Sequence, residues 1–296
     1  MVSGAPRAAH AWARARLEAA GVEDAAFDAA CLMELVSGKN WRWMDGELTE
    51  EQKTRLEQLT EKRAQRYPLQ YLAGRWPFLD FELAVGPGVL IPRADTELLC
   101  ETGAELLAGK TGLQLLAGKT GPQVLDLCAG SGCVGLGIKR LVPAARVTCL
   151  EKSPEAFVYL CQNAAAALPG FDPERPAVQP VAGDVFTYQN ELEPESLDLV
   201  LSNPPYVTGD EMKTLEPELR FEPEMALEAE HEGLAFYEHI APGYFAALRQ
   251  GGWLAVEIGW AQGAAVRGIF EAAGYRNVAV RQDLAGKDRV VLGQKP

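Results

Sequence analysis

Hydrophobic positions along the chain change period twice. Up to about residue 70 they recur at helical spacing. Ala9, Ala13, Leu17 and Ala20 predict a helix from about Ala5 to Ala20. A second is predicted from Asp24 to Ser37, stopped by Gly38. A third starts at Thr49, with Gln52 in the capping-box position, and ends before Pro68. Trp41 and Trp43 are assigned to packing between these helices. Over residues 74–91 the period drops to two. Phe81, Leu83 and Val85 alternate, Gly86-Pro87-Gly88 turns, and Val89-Leu90-Ile91 returns, as in a hairpin. From about residue 93 apolar runs of strand length alternate with helical stretches: Val124–Leu127, Val147–Leu150, Val178–Ala182, Leu197–Leu201, Trp253–Ile258, Ala279–Gln282 and Val290–Leu292. That alternation predicts an α/β fold, a mostly parallel sheet with helices on both faces. The expected organisation is a helical domain over 1–73, a β-hairpin linker over 74–92 and an α/β domain over 93–296.

Composition and charge narrow the class. At 296 residues the chain can bury a sizeable core, and no apolar run reaches the ~18 residues of a membrane span. Arg7, Arg14 and Arg16 precede the first acid, Glu18, as in a presequence, but the small-residue helix face gives the simpler reading. Residues 1–75 carry 11 Lys+Arg and 11 Asp+Glu, so the net charge of −13 resides wholly in residues 76–296. An acidic half does not suit a surface that tracks nucleic-acid phosphates. Cys31, Cys100, Cys128, Cys133, Cys149 and Cys161 show no paired spacing, which implies reduced thiols and a cytoplasmic protein. His10, His231 and His239 are too scattered for a metal site, and the two later ones read as helix-surface residues. A tandem near-duplicate, LLAGKTGLQ (106–114) and LLAGKTGPQ (115–123), reads as a loop; its GKT triplets follow a helix with the wrong glycine spacing for a P-loop.

Two strand ends carry the candidate chemistry. Asp126-Leu127-Cys128-Ala129-Gly130-Ser131-Gly132-Cys133-Val134-Gly135 follows one strand and opens a helix, and its glycines fit G-x-G-x-x-G. Glu151, after the next strand, stands where an acid takes ribose hydroxyls. This much indicates an adenosine-type cofactor and leaves NAD and S-adenosylmethionine both open. Three features favour the second. Asp126 suits a methionyl ammonium or braces the loop. Gly183-Asp184-Val185-Phe186 offers a carboxylate for an adenine amine and apolar cover for the ring. Asn203-Pro204-Pro205-Tyr206, after the Leu197–Leu201 strand, presents two carbonyl acceptors and an aromatic face, which suit a planar NH2 group. A rigid turn with Tyr206 packing inward is the other reading of that motif.

At these residues the chain resembles the class I S-adenosylmethionine-dependent methyltransferases, and within them the release-factor glutamine methyltransferases. Tyr71–Gly74, Val89-Leu90-Ile91-Pro92-Arg93, Thr96-Glu97, Glu222-Pro223, Glu257-Ile258-Gly259 and Asp283–Gly286 extend the resemblance over almost the full length. It implies a Rossmann-like sheet, an N-terminal domain that recognises a release factor, and methylation of the glutamine side-chain nitrogen of a Gly-Gly-Gln motif. Carried over by position, Asp126, Cys128, Ala129, Gly130, Ser131, Gly132, Glu151, Asp184, Val185 and Asn203 would line the cofactor. Asn203, Pro204, Pro205 and Tyr206 would hold the glutamine amide. Ala94 and Asp95 depart from the usual Pro-Glu, and Glu151 stands where Asp is usual. The resemblance implies a protein partner, no direct nucleic-acid contact, no metal and no membrane. The alternative is an N-P-P-Y enzyme acting on an exocyclic base amine of RNA or DNA. Arg93, Glu97 and Glu257 suit either a pocket-ordering or a plain ion-pair role.

Overall fold

The computed structural model describes residues 2–116, 121–166, 168 and 177–296, with backbone alone over 109–116. Two compact units result: one of residues 1–75 with 216–221, the other of 76–215 with 222–296.

The first unit is helical, with α1 (Pro6–Ala19), α2 (Ala25–Ser37), α3 (Glu50–Ala64) and the short α4 (Leu69–Ala73). The helix-period residues are its core: Ala9, Ala13, Leu17, Leu32 and Leu56 have no solvent exposure. Thr49 Oγ1 accepts from Gln52 N and Gln52 Oε1 accepts from Thr49 N, so the capping box forms in full. Gly38 ends α2 in the left-handed conformation. Trp41 stacks on His10 at 4.2 Å, whereas Trp43 is 80% exposed and packs between no helices. Buried Arg63 donates to Asp28 at 2.6 Å and to Glu218 at 2.8 Å. Arg66 grips both oxygens of the same Glu218. Six residues from far along the chain thereby complete the helical unit.

The second unit opens with a hairpin of β1 (Arg75–Phe78) and β2 (Phe81–Ala84). Its turn is at Leu79-Asp80, with Leu79 at φ 51°, and not at Gly86-Pro87-Gly88; residues 85–93 form no strand. Glu97 fixes the tighter turn by accepting from Leu79 N at 2.8 Å. Then come α5 (Glu97–Leu116), β3 (Gln123–Leu127), α6 (Cys133–Leu141), β4 (Arg146–Glu151), α7 (Pro154–Ala166), β5 (Gln179–Ala182), β6 (Leu197–Ser202), the single turn α8 (Glu230–Gly233), α9 (Ala235–Gly243), β7 (Leu248–Glu257), α10 (Gly263–Ala272), β8 (Arg276–Gln282) and β9 (Asp288–Gln294). The first copy of the LLAGKTG duplication is therefore helical backbone and not loop; residues 117–120 of the second lie outside the described residues.

Every strand predicted from residue 93 onward is present. They form one sheet in the order β5-β4-β3-β6-β7-β9-β8, parallel through β7 and antiparallel at β9 and β8. Successive strand residues face opposite layers. Val124, Val147, Leu199 and Leu201 join Leu99, Leu136 and Leu160 of α5, α6 and α7. Leu125, Leu127, Val200 and Val256 join Tyr237, Ile240, Val266 and Phe270 of α9 and α10. With both faces covered, the central strands read as unbroken apolar runs, as β6 does in being buried throughout.

Candidate active site

The strand order reverses between β3 and β6, and ligands of such sheets bind beyond the carboxyl ends of the strands at that point. The register brings those ends level. Leu127 pairs with both Leu150 and Ser202, and Ser202 pairs with Val256. The loops beginning at Cys128, Glu151 and Asn203, and Glu257 itself, consequently meet at one edge.

A cavity of about 310 Å³ opens there. Its wall includes Cys128, Ala129, Gly130, Ser131, Glu151, Asp184, Val185, Asn203 and Pro205. Asp126, Gly132, Pro204 and Tyr206 are not among the residues that line it. The glycine loop is a tight turn, with Cys128, Gly130 and Gly132 all at positive φ. At Gly132 a side chain would be strained, since φ is 84° and a Cβ would come 2.7 Å from Leu160 Cδ1 and displace it.

Three buried polar side chains shape this loop. Asp126 Oδ2 accepts from Gly135 N at 2.8 Å, which makes it a brace for the first turn of α6. Burial raises its pKa to about 7, against the Gly135 hydrogen bond, which lowers it. Glu151 accepts from Gly130 N at 2.7 Å and from Ser153 N at 2.6 Å, and still faces the cavity. Asn163 on α7 donates to Ser131 O and Ala84 O and accepts from Ala84 N, tying the loop to the end of β2. Sequence reasoning passed over Asn163. A polar residue on the face of α7 that buries Leu160 and Ala164 was the available signal.

The third strand end supplies Asp184, which accepts from Phe186 N at 3.0 Å and pairs with Lys152 at 2.8 Å. Burial opposes its ionisation, yet Lys152 and the Phe186 N–H hold its pKa below the usual value. Phe186 and Phe236 line the same side with ring centroids 5.1 Å apart. Carboxylates for a diol and an amine beside flat apolar rings fit a nucleoside. Among the described residues no cluster of His, Cys, Asp and Glu could hold a metal, and no helix is long and apolar enough to cross a membrane.

At the fourth strand end Asn203 lines the cavity, and its Nδ2 donates to Thr96 Oγ1 at 3.2 Å. Pro204 and Pro205 are buried. The Tyr206 ring packs against the apolar layer of α9 and α10, and its hydroxyl is 3.5 Å from Glu257 Oε1. The Tyr206 backbone is locked on both sides. Its N–H donates to Leu227 O, and its carbonyl accepts from Gln262 Nε2 at 3.2 Å. Gly233, at φ 79°, lies so close to that carbonyl that a Cβ would be 2.2 Å from it. His231 and Glu232 before it also take positive φ, so His231 is on a left-handed turn and not on a regular helix surface. Arg93 pairs with buried Glu222, which also accepts from Ile91 N at 2.9 Å. Arg93 thus helps to order the cavity wall, whereas Glu97 serves the hairpin turn at Leu79.

The PrmC N-terminal domain model matches residues 8–74, and the methyltransferase small domain model matches residues 101–221. Release factor glutamine methyltransferase from Caulobacter vibrioides is 36% identical over 292 residues, covering 96% of this chain and 95% of its own. The Geobacter sulfurreducens enzyme of the same name is 33% identical over 288 residues, covering 96% and 94%. This chain belongs to the release factor glutamine methyltransferase family. The catalytic domain of hMettl16, solved in complex with MAT2A 3'UTR hairpin 6, shares the fold at 13% identity and TM-score 0.52, over 84% of this chain and 83% of that one. The family is that of S-adenosylmethionine-dependent enzymes, and the residues around the cavity fit that cofactor.

Proposed function

We propose that this enzyme methylates the side-chain amide nitrogen of the glutamine in the Gly-Gly-Gln motif of peptide-chain release factors, in the cytoplasm, with the amide held by Asn203 and Pro204. The observation that carries this reading is the Asn203 amide. With Nδ2 committed to Thr96, its Oδ1 remains the acceptor at the cavity.

When bound, S-adenosylmethionine supplies an electrophilic methyl group on a sulfonium. Glu151, Asp184, Val185 and the 128–131 backbone would hold it. An amide nitrogen is a poor nucleophile because its lone pair is delocalised into the carbonyl. Asn203 Oδ1, at the cavity wall, accepts one N–H of the substrate amide; the Pro204 carbonyl, next along the chain but outside the cavity lining, would take the other as the glutamine enters, and together they would fix the NH2 plane. Transfer would make an N–C bond while the cofactor's sulfur keeps the C–S electron pair as a thioether, and the extra proton on nitrogen would then pass to water, so no strong base is needed first. Alignment of this kind can supply about 7–11 kcal/mol of the barrier. Pre-set carbonyl dipoles add to it without reorganising.

The reading favours a protein over a base amine because the net negative charge resides wholly in residues 76–296, which a phosphate backbone would avoid. The test is methyl transfer from labelled S-adenosylmethionine to a bacterial-type release factor, beside its Gly-Gly-Gln variant with Gln replaced by Ala. Label on the first alone supports the reading. Label on neither, with cofactor bound, rejects it in favour of an RNA or DNA amine.

A further inference from the structure

Glu257 is a buried carboxylic acid with no assigned task. It ends β7, is 2% exposed, and its Oε2 has no hydrogen-bond partner among the described residues. Leaving such an atom unpaired costs stability, more so for a charged group. Its place in the register is informative. Ser202 pairs with Val256 across the parallel ladder, so the next residues along, Asn203 and Glu257, are neighbours at the same edge.

Thr96 stands beside both. It is 1% exposed, its Oγ1 accepts from Asn203 Nδ2 at 3.2 Å, and its hydroxyl favours the ionised form of the Glu257 carboxylate. A threonine hydroxyl has one proton to give. Having accepted from Asn203, Thr96 can satisfy that proton on Glu257. With Glu257 ionised, the direction of donation is fixed along the series: Asn203 to Thr96, Thr96 to Glu257. If the series ran backwards, Thr96 would donate to an inverted Asn203 amide. The NH2 of Asn203 would then face the cavity and meet the N–H donors of the substrate.

Resting on the proposed glutamine chemistry, we infer that Glu257 is a positioning residue that, through Thr96, holds the Asn203 amide with its oxygen toward the substrate. It acts on the polarity of the acceptor and does not touch the reacting atoms. The charged and titratable groups around Glu257 are the Tyr206 hydroxyl, Arg289 of β9 and Asp95 before α5. Arg289 is held by Asp283 and Asp95, both at 3.0 Å. The buried Nε of Arg289 has no hydrogen-bond partner among the described residues, so Arg289 acts on Glu257 by charge, and the hydroxyls of Thr96 and Tyr206 are the donors available to the carboxylate.

The test compares wild type, T96V, T96S and E257L in release-factor methylation, with calorimetric S-adenosylmethionine affinity and the side-chain amide NMR signal of Asn203, assigned by its loss in N203D. The inference expects kcat to fall about tenfold or more in T96V and E257L, the size of one misplaced hydrogen bond, with cofactor affinity little changed. T96S should restore most of kcat. The Asn203 NH2 signal should show one hydrogen-bonded proton in wild type and T96S, and lose it in T96V. Unchanged kcat in T96V, or an Asn203 signal that ignores Thr96, overturns the inference. If wild type does not label the release factor, the glutamine reading fails, and the NMR comparison alone decides the Thr96 relay.

Discussion

Glu151 Oε2 accepts from Gly130 N at 2.7 Å, so an acid at the end of β4 holds the backbone of the loop that follows β3. Glu151→Ala would leave the N–H groups of Gly130 and Ser153 without this acceptor. A loss of about 1–3 kcal/mol in stability follows from the unpaired donors. Denaturant melts measure it, and cofactor affinity should weaken at least about tenfold in the same variant.

Asn203→Ala removes the acceptor without disturbing the glycine loop. Turnover should fall by about 10²–10³, the range found on removing one pre-set polar group from a site. Cofactor affinity should be largely spared. Retained turnover would remove Asn203 from the mechanism.

Gly233→Ala joins two penalties, a residue at φ 79° and a Cβ 2.2 Å from the Tyr206 carbonyl. Strain of about 1–3 kcal/mol is the usual cost of such a conformation alone. The turn before Leu234 must move and take the Tyr206 backbone with it, so kcat should drop together with thermal stability. A variant with wild-type activity would show that the Tyr206 backbone lock is dispensable.

Burial raises both Asp126 and Glu257 to about 7. In the unfolded chain these groups release their protons near pH 4, while the folded protein keeps them until about pH 7. The folded state therefore holds more protons across that window, and stability falls as pH rises through it, then levels off. Asp126→Asn keeps an acceptor for Gly135 N and removes one of the two titrations. Its stability difference between pH 5 and pH 8 should shrink, by up to about 3 kcal/mol. Urea unfolding at the two pH values checks the sign.

Arg63 is buried between Asp28 and Glu218. Removing it as Arg63→Ala strands Asp28, whose pKa burial already raises against the pull of Arg63. About 3–5 kcal/mol is the usual cost of breaking such a pair from one side. Calorimetric melting of the variant would report it.

Periodicity made the fold legible because β3, β4 and β6 are apolar on both faces and the helices between them on one. Alternation alone misplaced the hairpin turn. The turn is decided by Glu97 capturing the Leu79 N–H, a contact spanning 18 residues that no local pattern encodes. The LLAGKTG duplication was read as loop from its glycines, yet α5 runs through Leu116. At the site, glycine spacing and N-P-P-Y marked two strand ends of one edge, and the register joined them. Sequence left two readings open for Asp126 and for Tyr206; in the fold Asp126 braces the loop through Gly135 N and the Tyr206 ring packs on the apolar layer of α9 and α10. Thr96, Asn163, Glu222 and Gln262 act at the site by contacts that exist only once the strand ends meet.

Residues 216–221 belong to the helical unit, while Glu222, the next residue, pins Ile91 and Arg93 at the cavity wall. The polypeptide is laced and not merely joined in series. A cut at residue 75 would sever one strand of the lacing and leave Glu218 in the remaining fragment without the Arg63 and Arg66 guanidiniums that hold it. Exchange of the helical unit between relatives then requires two splices, one at residue 75 and the second between Phe221 and Glu222, so the residue that orders Ile91 and Arg93 sits directly at a joint.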